Sequence, residues 1–340
     1  MKKFFAMALA LIMVLTCVAV FASCTEKKAD TLVMATNAAF PPYEYKEGDK
    51  IVGIDAEIAQ AIADKLGMTL EIVDVEFGSV LTGVSEGKYD MGMAGITVTE
   101  DRKKTMDFSN TYATGIQVII VNDGSEITGL DSLFVFDEEG NPTALVNPDI
   151  KVGVQQSTTG DIYSSSSVAG WGFNDLNDDE SVKTDRVVRY KTGADAVQAL
   201  KTGKVDCVII DNEPAKSFVE SVDGIHILEG DNEYAVEDYA ICVKKGNSEL
   251  LDKINQALAE LKADGTIDRI IEKYIPSNVT AETGDAETEA DTAVEAATEA
   301  ATEAATEVAT EVATEVATEV ATEAATEVST EVATEDVTAA

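Results

Sequence analysis

Histidine and tryptophan occur once each in the 340 residues, proline six times and cysteine four times. The single histidine, His226, excludes zinc sites that need two imidazoles, and Ser-His or Cys-His catalysis would have to run through it. Its surroundings, Gly224-Ile225-His226-Ile227-Leu228, read as a strand end, where a structural or surface imidazole is the ordinary role. No Cys-x-x-Cys pair occurs, which removes support for a metal or redox centre. Cys17 lies in the N-terminal apolar run. Cys207 and Cys242 sit in apolar, strand-like runs and are expected as small buried hydrophobes, with a disulfide between them as the alternative. Bases are scarce as well: 25 Lys and Arg face 63 acids, a formal net charge of -38. Residues 279–340 hold 17 acids and no base, so they carry -17 and the rest of the chain -21. Both parts repel phosphate backbones, and no nucleic-acid partner is expected.

The two ends differ from the middle. Lys2-Lys3 and the apolar run Phe4–Val20 read as the n- and h-regions of a signal peptide over residues 1–23. Phe21-Ala22-Ser23-Cys24 resembles a bacterial lipobox, with Phe21 where leucine is usual. That resemblance makes Cys24 the lipidated first residue, followed by a linker over residues 24–30. An ordinary cleaved signal peptide or an uncleaved span is the alternative. At the other end, residues 279–340 form an acidic tail that repeats Ala-Thr-Glu-Ala or Ala-Thr-Glu-Val from about Ala297 to Glu335. A period of four drifts around a 3.6-residue helix, and glutamates four apart repel, so the tail is expected to be disordered. It reads either as a spacer or as a tolerated repeat expansion.

Between these ends, strands and helices alternate. Thr31–Thr36, Thr69–Val75 and Met91–Ile96 read as strands. Ile54–Leu66 has apolar residues at helical spacing and stops at Gly67, and Val80–Glu86 reads as a short helix. Gln117–Val121 reads as a crossover strand. A second series follows: Lys151–Val154, a helix from Asp161, Val187–Tyr190, a helix near Ala194–Leu200, and Val205–Ile210. Tyr239–Lys244 reads as a return crossover, and Ser248–Ala263 and Ile267–Tyr274 as closing helices. Such alternation predicts an α/β protein whose mostly parallel sheets are flanked by helices. Two series joined by two crossings predict two lobes: residues 31–118 with 240–278, and residues 119–239. Ligands of open α/β sheets bind beyond the carboxyl ends of the strands, which points to the cleft between the lobes.

Several segments resemble the polar amino-acid-binding family of extracytoplasmic solute-binding proteins that serve ABC importers. They include Ala35-Thr36-Asn37-Ala38-Ala39-Phe40-Pro41-Pro42-Tyr43, Gly53-Ile54-Asp55-Ala56-Glu57-Ile58, and Gly95-Ile96-Thr97-Val98-Thr99-Glu100-Asp101-Arg102. Val152–Gly160, Val205–Asp211 and Leu261–Thr266 continue the likeness in family order over nearly all of residues 31–275. The resemblance implies a two-lobed clamp with two crossover hinge strands that closes on a free amino acid. Phe136–Pro148 and Gly170–Ser181, rich in Asp, Asn and Gly, read as insertions.

A free amino acid presents a carboxylate, an ammonium and a side chain. The resemblance assigns the carboxylate to Arg102, in the first turn of a helix capped by Thr99; a solvated arginine paired with Glu100 or Asp101 is the alternative. Gly95 and Thr97 match positions that contact the ligand. Thr159 matches a second carboxylate contact from the other lobe, although an N-cap threonine is its ordinary role. Gln156 and Gly160 belong to the same loop. Asp211 matches the aspartate that pairs with the ammonium, with an N-cap as its structural alternative. Phe40 and Phe77 match the walls around the ligand side chain. At Asn37 many relatives carry aspartate; its neutral amide favours a polar, uncharged or sulfur-containing amino acid over lysine or arginine. No catalytic residue, metal or cofactor is expected. The expected partners are the amino acid, ABC permease subunits and a lipid anchor, with the protein a monomer outside the cytoplasmic membrane. Two other readings compete: an enzyme of this fold that dehydrates cyclic acids, and a surface interaction lipoprotein. The first needs an acid/base in the cleft, and the sequence offers no carboxylate pair beyond Asp211.

Overall fold

The computed structural model describes residues 31–179, 181–228 and 235–276, all within one compact unit. Cys24, the expected signal peptide and the repeat tail lie outside these residues.

The chain begins with β1 (Thr31–Thr36), followed by the small antiparallel sheet of β2 (Ala39–Phe40), β3 (Glu44–Glu47) and β4 (Lys50–Val52). Helix α1 (Ile54–Leu66) buries Ile54, Ile58 and Ile62, which recur every four residues on one face. Each such side chain contributes about 1.5–3 kcal/mol by leaving water. Gly67 ends α1 in the left-handed conformation, its N–H returning to the Asp64 carbonyl, as the sequence predicts. Then come β5 (Thr69–Asp74), α2 (Phe77–Glu86), β6 (Met91–Gly92), α3 (Glu100–Thr105) and β7 (Met106–Phe108).

A second group follows: β8 (Ala113–Asn122), β9 (Phe134–Phe136), β10 (Pro142–Leu145), β11 (Val152–Gln155), α4 (Thr159–Ser164), β12 (Asp175–Leu176), β13 (Val182–Thr184) and β14 (Val187–Tyr190). Next are α5 (Gly193–Lys201), β15 (Cys207–Asp211), α6 (Asn212–Ser221), β16 (Ile225–Ile227) and β17 (Ala235–Tyr239). The chain then returns through β18 (Cys242–Lys244) to α7 (Ser248–Ala263) and α8 (Thr266–Tyr274).

Two main sheets result. The first has the order β5-β1-β6-β18-β7, the second β14-β11-β15-β8-β16 with β17 also paired to β8. Each keeps a parallel core of three strands, β5-β1-β6 and β14-β11-β15. The strands next to the crossings, β8, β17 and β18, run antiparallel to their neighbours, so the sheets are mixed rather than mostly parallel. The segment read as a simple crossover, Gln117–Val121, is the middle of β8, a ten-residue strand with partners on both sides. The run read as a strand over Met91–Ile96 pairs only at Met91 and Gly92. Residues 93–96 then leave the sheet, although Met93, Ala94 and Ile96 stay buried.

The two segments read as insertions contain β10 and β12, each forming a hairpin with a strand at the segment's edge, β9 and β13. Cys207 and Cys242 are buried free thiols, one in each sheet; burial pushes both up to about 12, which keeps them inert. His226 is exposed on β16, its Nδ1 2.9 Å from Asp123 Oδ1, a surface pair as its neighbours suggest.

Candidate functional site

A narrow cleft, with a cavity volume of about 10 Å³, is lined by Asn37, Phe40, Glu44, Phe77, Ala94, Gly95, Thr97, Gln155, Thr158, Thr159 and Asp211. These residues come from the loop after β1, from β2 and the start of β3, the start of α2, the segment between β6 and α3, the end of β11 with the start of α4, and the end of β15. The parallel strands β1, β6, β11 and β15 all reach the cleft with their carboxyl ends, where open α/β sheets place ligands.

Arg102 lies against this cleft. Thr99 caps α3, its hydroxyl accepting from the Arg102 N–H at 3.2 Å, and this fixes where the arginine leaves the helix. The side chain is buried rather than paired with Glu100 or Asp101, whose carboxylates instead accept from Lys103 and Lys104. The guanidinium donates to the Thr97 carbonyl at 2.8 Å and to the Ser157 carbonyl at 3.1 Å, and lies 5.4 Å from the centre of the Phe77 ring. Burial lowers its pKa, yet a guanidinium stays charged in proteins. Two of its five N–H groups are spent on these carbonyls.

Asp211 stands at the N-cap position of α6 but makes no side-chain cap bond. Its Oδ1 accepts from the Tyr239 hydroxyl instead. Burial, and next the neighbouring Glu237 charge, raise this carboxyl to about 7, against the pull of Tyr239 and Gln117. Thr159 is not a cap either. Thr158 caps α4 through Asp161 N–H, while the Thr159 hydroxyl donates to Glu237 Oε2 at 3.0 Å. The Thr97 hydroxyl donates to the same oxygen at 2.9 Å, and Gln117 Nε2 approaches it at 3.2 Å.

At the other end of the cleft, the Asn37 amide is engaged at both its nitrogen and its oxygen. Its Nδ2 donates to the Val75 carbonyl and its Oδ1 accepts from Gln155 Nε2, both within 2.9 Å. Gly95 takes φ 53°, and a Cβ there would sit 2.8 Å from the Phe40 ring, so only glycine lets the ring close on this backbone. The Gly95 N–H donates to Asp55 Oδ2 at 3.0 Å. Burial raises Asp55 to about 6, and burial followed by the Asp55 charge holds the neighbouring Glu44 well above the carboxylate range. Among the described residues, Gln155 Oε1 and both Glu44 oxygens have no hydrogen-bond partner.

The structure thus gathers Asn37, Phe40, Phe77, Gly95, Thr97, Thr159 and Asp211 around one cleft, with Arg102 against it. Gln156 is not brought in: β11 ends at Gln155, and with the alternation of a strand Gln156 is exposed while Gln155 lines the cleft. The expectation of no carboxylate pair beyond Asp211 is also corrected, because Glu44, Asp55 and Glu237 are all buried here. Signals for them exist. Glu237 shares the inward face of β17 with Tyr239, and Asp55 falls on the buried stripe of α1.

The family model of bacterial extracellular solute-binding proteins, family 3, matches residues 32–277, and the chain belongs to this family. It is 31% identical over 250 residues to the arginine-binding extracellular protein ArtP of Bacillus subtilis, covering 74% of this chain and 88% of that protein. It is 25% identical over 260 residues to the L-cystine-binding protein TcyJ of Escherichia coli, covering 75% and 86%. Among solved structures, an ancestral arginine-binding protein bound to glutamine superposes with a TM-score of 0.60 at 36% identity, covering 73% of this chain and 98% of that one. The chain is therefore a two-lobed, extracytoplasmic amino-acid-binding component of ABC transport, and a binding protein rather than an enzyme.

Proposed function

We propose that this chain captures one free amino acid whose polar side chain carries N–H or O–H donors, and hands it to a membrane permease by closing its lobes. The observation that carries this reading is a buried guanidinium and a buried carboxylate at one cleft, Arg102 from the first sheet's side and Asp211 from the second. They match the two charges of a zwitterion. Phe40 and Phe77 line the cleft as walls for the side chain, and Gln155 Oε1 and Glu44 wait beyond them. An amide, imidazole, hydroxyl or guanidinium would satisfy these groups. A thioether brings no donor and would leave Gln155 Oε1 buried and unpaired, a cost of about 1–3 kcal/mol. The neutral Asn37 therefore does not decide against nitrogen-rich side chains, because its own amide is already engaged across the cleft.

The lobes in this reading follow the two sheets: all of β8 belongs to the second, so the boundary expected at residue 118 moves back to the crossing near residues 109–112, and the chain returns near residues 240–241. Asn37–Gln155, Arg102–Ser157 and Thr97–Glu237 bridge them. Cys24 would carry the lipid that holds the monomer at the outer face of the membrane, with the acidic tail as a spacer.

The test is calorimetric titration of the chain, stripped of carried-over ligand by unfolding and refolding, with the twenty amino acids plus cystine and ornithine. One-to-one binding of a few donor-bearing amino acids is expected. No heat with any of them, or a preference for aliphatic or thioether side chains, contradicts the reading.

A further inference from the structure

A threonine hydroxyl has one hydrogen, and where it goes decides what the oxygen can do next. Thr97 Oγ1 and Thr159 Oγ1 come from opposite sides of the cleft, lie 3.5 Å apart, and both approach Glu237 Oε2, at 2.9 and 3.0 Å. Gln117 Nε2, which has only hydrogens to offer, approaches the same carboxylate oxygen at 3.2 Å and Thr159 Oγ1 at 3.4 Å. Turning the Gln117 amide over would set its oxygen against the carboxylate, so the donor orientation is held. With Gln117 donating to it, Thr159 has to send its own hydrogen to Glu237. Thr97 does the same.

Both threonines line the cleft, and toward it they present lone pairs. Asp211 lines the same cleft, its Oδ1 accepting from the Tyr239 hydroxyl. A primary ammonium has three N–H donors, and Thr97, Thr159 and Asp211 offer three acceptors. We infer that Glu237 is a positioning residue: by taking the hydrogens of Thr97 and Thr159 it turns both hydroxyls into acceptors for the ligand's α-ammonium, and so makes a free primary amine a requirement of the site. This rests on the amino-acid reading of the cleft and reassigns Thr159, which the sequence resemblance places on the carboxylate. The carboxylate is left to Arg102.

The Glu237→Gln variant tests it. An uncharged amide oxygen in place of Oε2 has two lone pairs for the three hydrogens that converge there, and turned over the amide brings hydrogens of its own, so one hydroxyl reverses and points its hydrogen into the cleft, against the ammonium. A ligand hydroxyl in place of the amine can reverse with it. Full-length wild type and Glu237→Gln are titrated with L-glutamine, L-histidine and L-arginine, and with the 2-hydroxy acid counterpart of each. The expected result is that the variant loses affinity for the amino acid by about 10- to 100-fold, the scale of a charged hydrogen bond, while the 2-hydroxy acid changes by less than about threefold. In a Thr97→Val background the same change has a much smaller effect, because one of the two reversible hydroxyls is gone. Equal weakening of both ligand types, or a full effect in the Thr97→Val background, overturns the role of Glu237 while leaving the amino-acid reading standing. Failure of the wild type to bind any of the three amino acids overturns the reading and this inference together.

Discussion

At one end of the cleft Arg102, Asp211, Thr97 and Thr159 carry charge or borrow it from Glu237, and their bonds run between the two sides: Arg102 to Ser157, Thr97 to Glu237. At the other end Asn37 and Gln155 join the sides through neutral amides, between two phenylalanines and above the raised carboxyls of Glu44 and Asp55. The first end answers to what every amino acid has in common. The second answers to what distinguishes one from another, and there Gln155 Oε1 and the Glu44 oxygens lie without partners among the described residues, beside the phenylalanine walls. Affinity is therefore concentrated at one end and selectivity at the other, and each can be perturbed without the other.

The largest effect is expected from the charged end. Arg102→Ala should weaken binding by about 2–5 kcal/mol, the scale of leaving a desolvated charge unpaired, with every bound amino acid affected alike. Titration calorimetry reads the loss and far-UV circular dichroism should be unchanged; near-native affinity in the folded variant would contradict the assignment.

A pH series separates the ends next. With Asp211 at about 7 in the free protein and lowered when an ammonium sits beside it, binding below that pH must expel a proton. Affinity should be flat just above pH 7 and fall about tenfold per unit below it, with proton release visible as a buffer-dependent heat. The same shift has an opposite sign for stability. Asp211 and Asp55 have folded values above their unfolded ones, so their contribution is full below about pH 4 and is lost as pH rises through about 6 to 7. The ligand-free protein should accordingly melt higher at pH 5.5 than at pH 8; an unchanged or lower Tm at pH 5.5 would show these carboxyls ionise freely.

The smallest effect belongs to the side-chain end. Gln155→Leu should cost a donor-bearing ligand about 0.5–1.5 kcal/mol and narrow the gap to aliphatic amino acids, whereas Gln156→Leu should stay within about 0.5 kcal/mol. Equal effects from the two would erase the distinction that the end of β11 draws between them.

How far the sequence reveals this cleft follows the same division. Arg102, Thr97, Thr159, Asp211 and Phe40 sit in local patterns: a capped helix start, a strand end, a Pro-Pro loop. The structure brings Thr97, Thr159, Asp211 and Phe40 to the cleft and Arg102 against it, and α7 matches its predicted bounds, Ser248–Ala263. Gln155 lines the cleft in place of Gln156, because one residue of strand register decides which side chain faces it. Glu44, Asp55 and Glu237 escaped for a different reason. Asp55 and Glu237 are signalled only by their places on a buried helix stripe and an inward strand face, and it is the packing of β3, α1 and β17 around the cleft that makes buried carboxylates of all three. The parallel character of the sheets was overstated because periodicity shows that a strand is buried, not which way its neighbour runs.

The most direct test of the account is a calorimetric comparison of wild type and Arg102→Ala against the full amino-acid set. The account predicts tight one-to-one binding of a few donor-bearing amino acids by the wild type, with every one of them weakened by a similar factor in the variant. Binding that survives Arg102→Ala, or a wild type that binds none of the set, would contradict it.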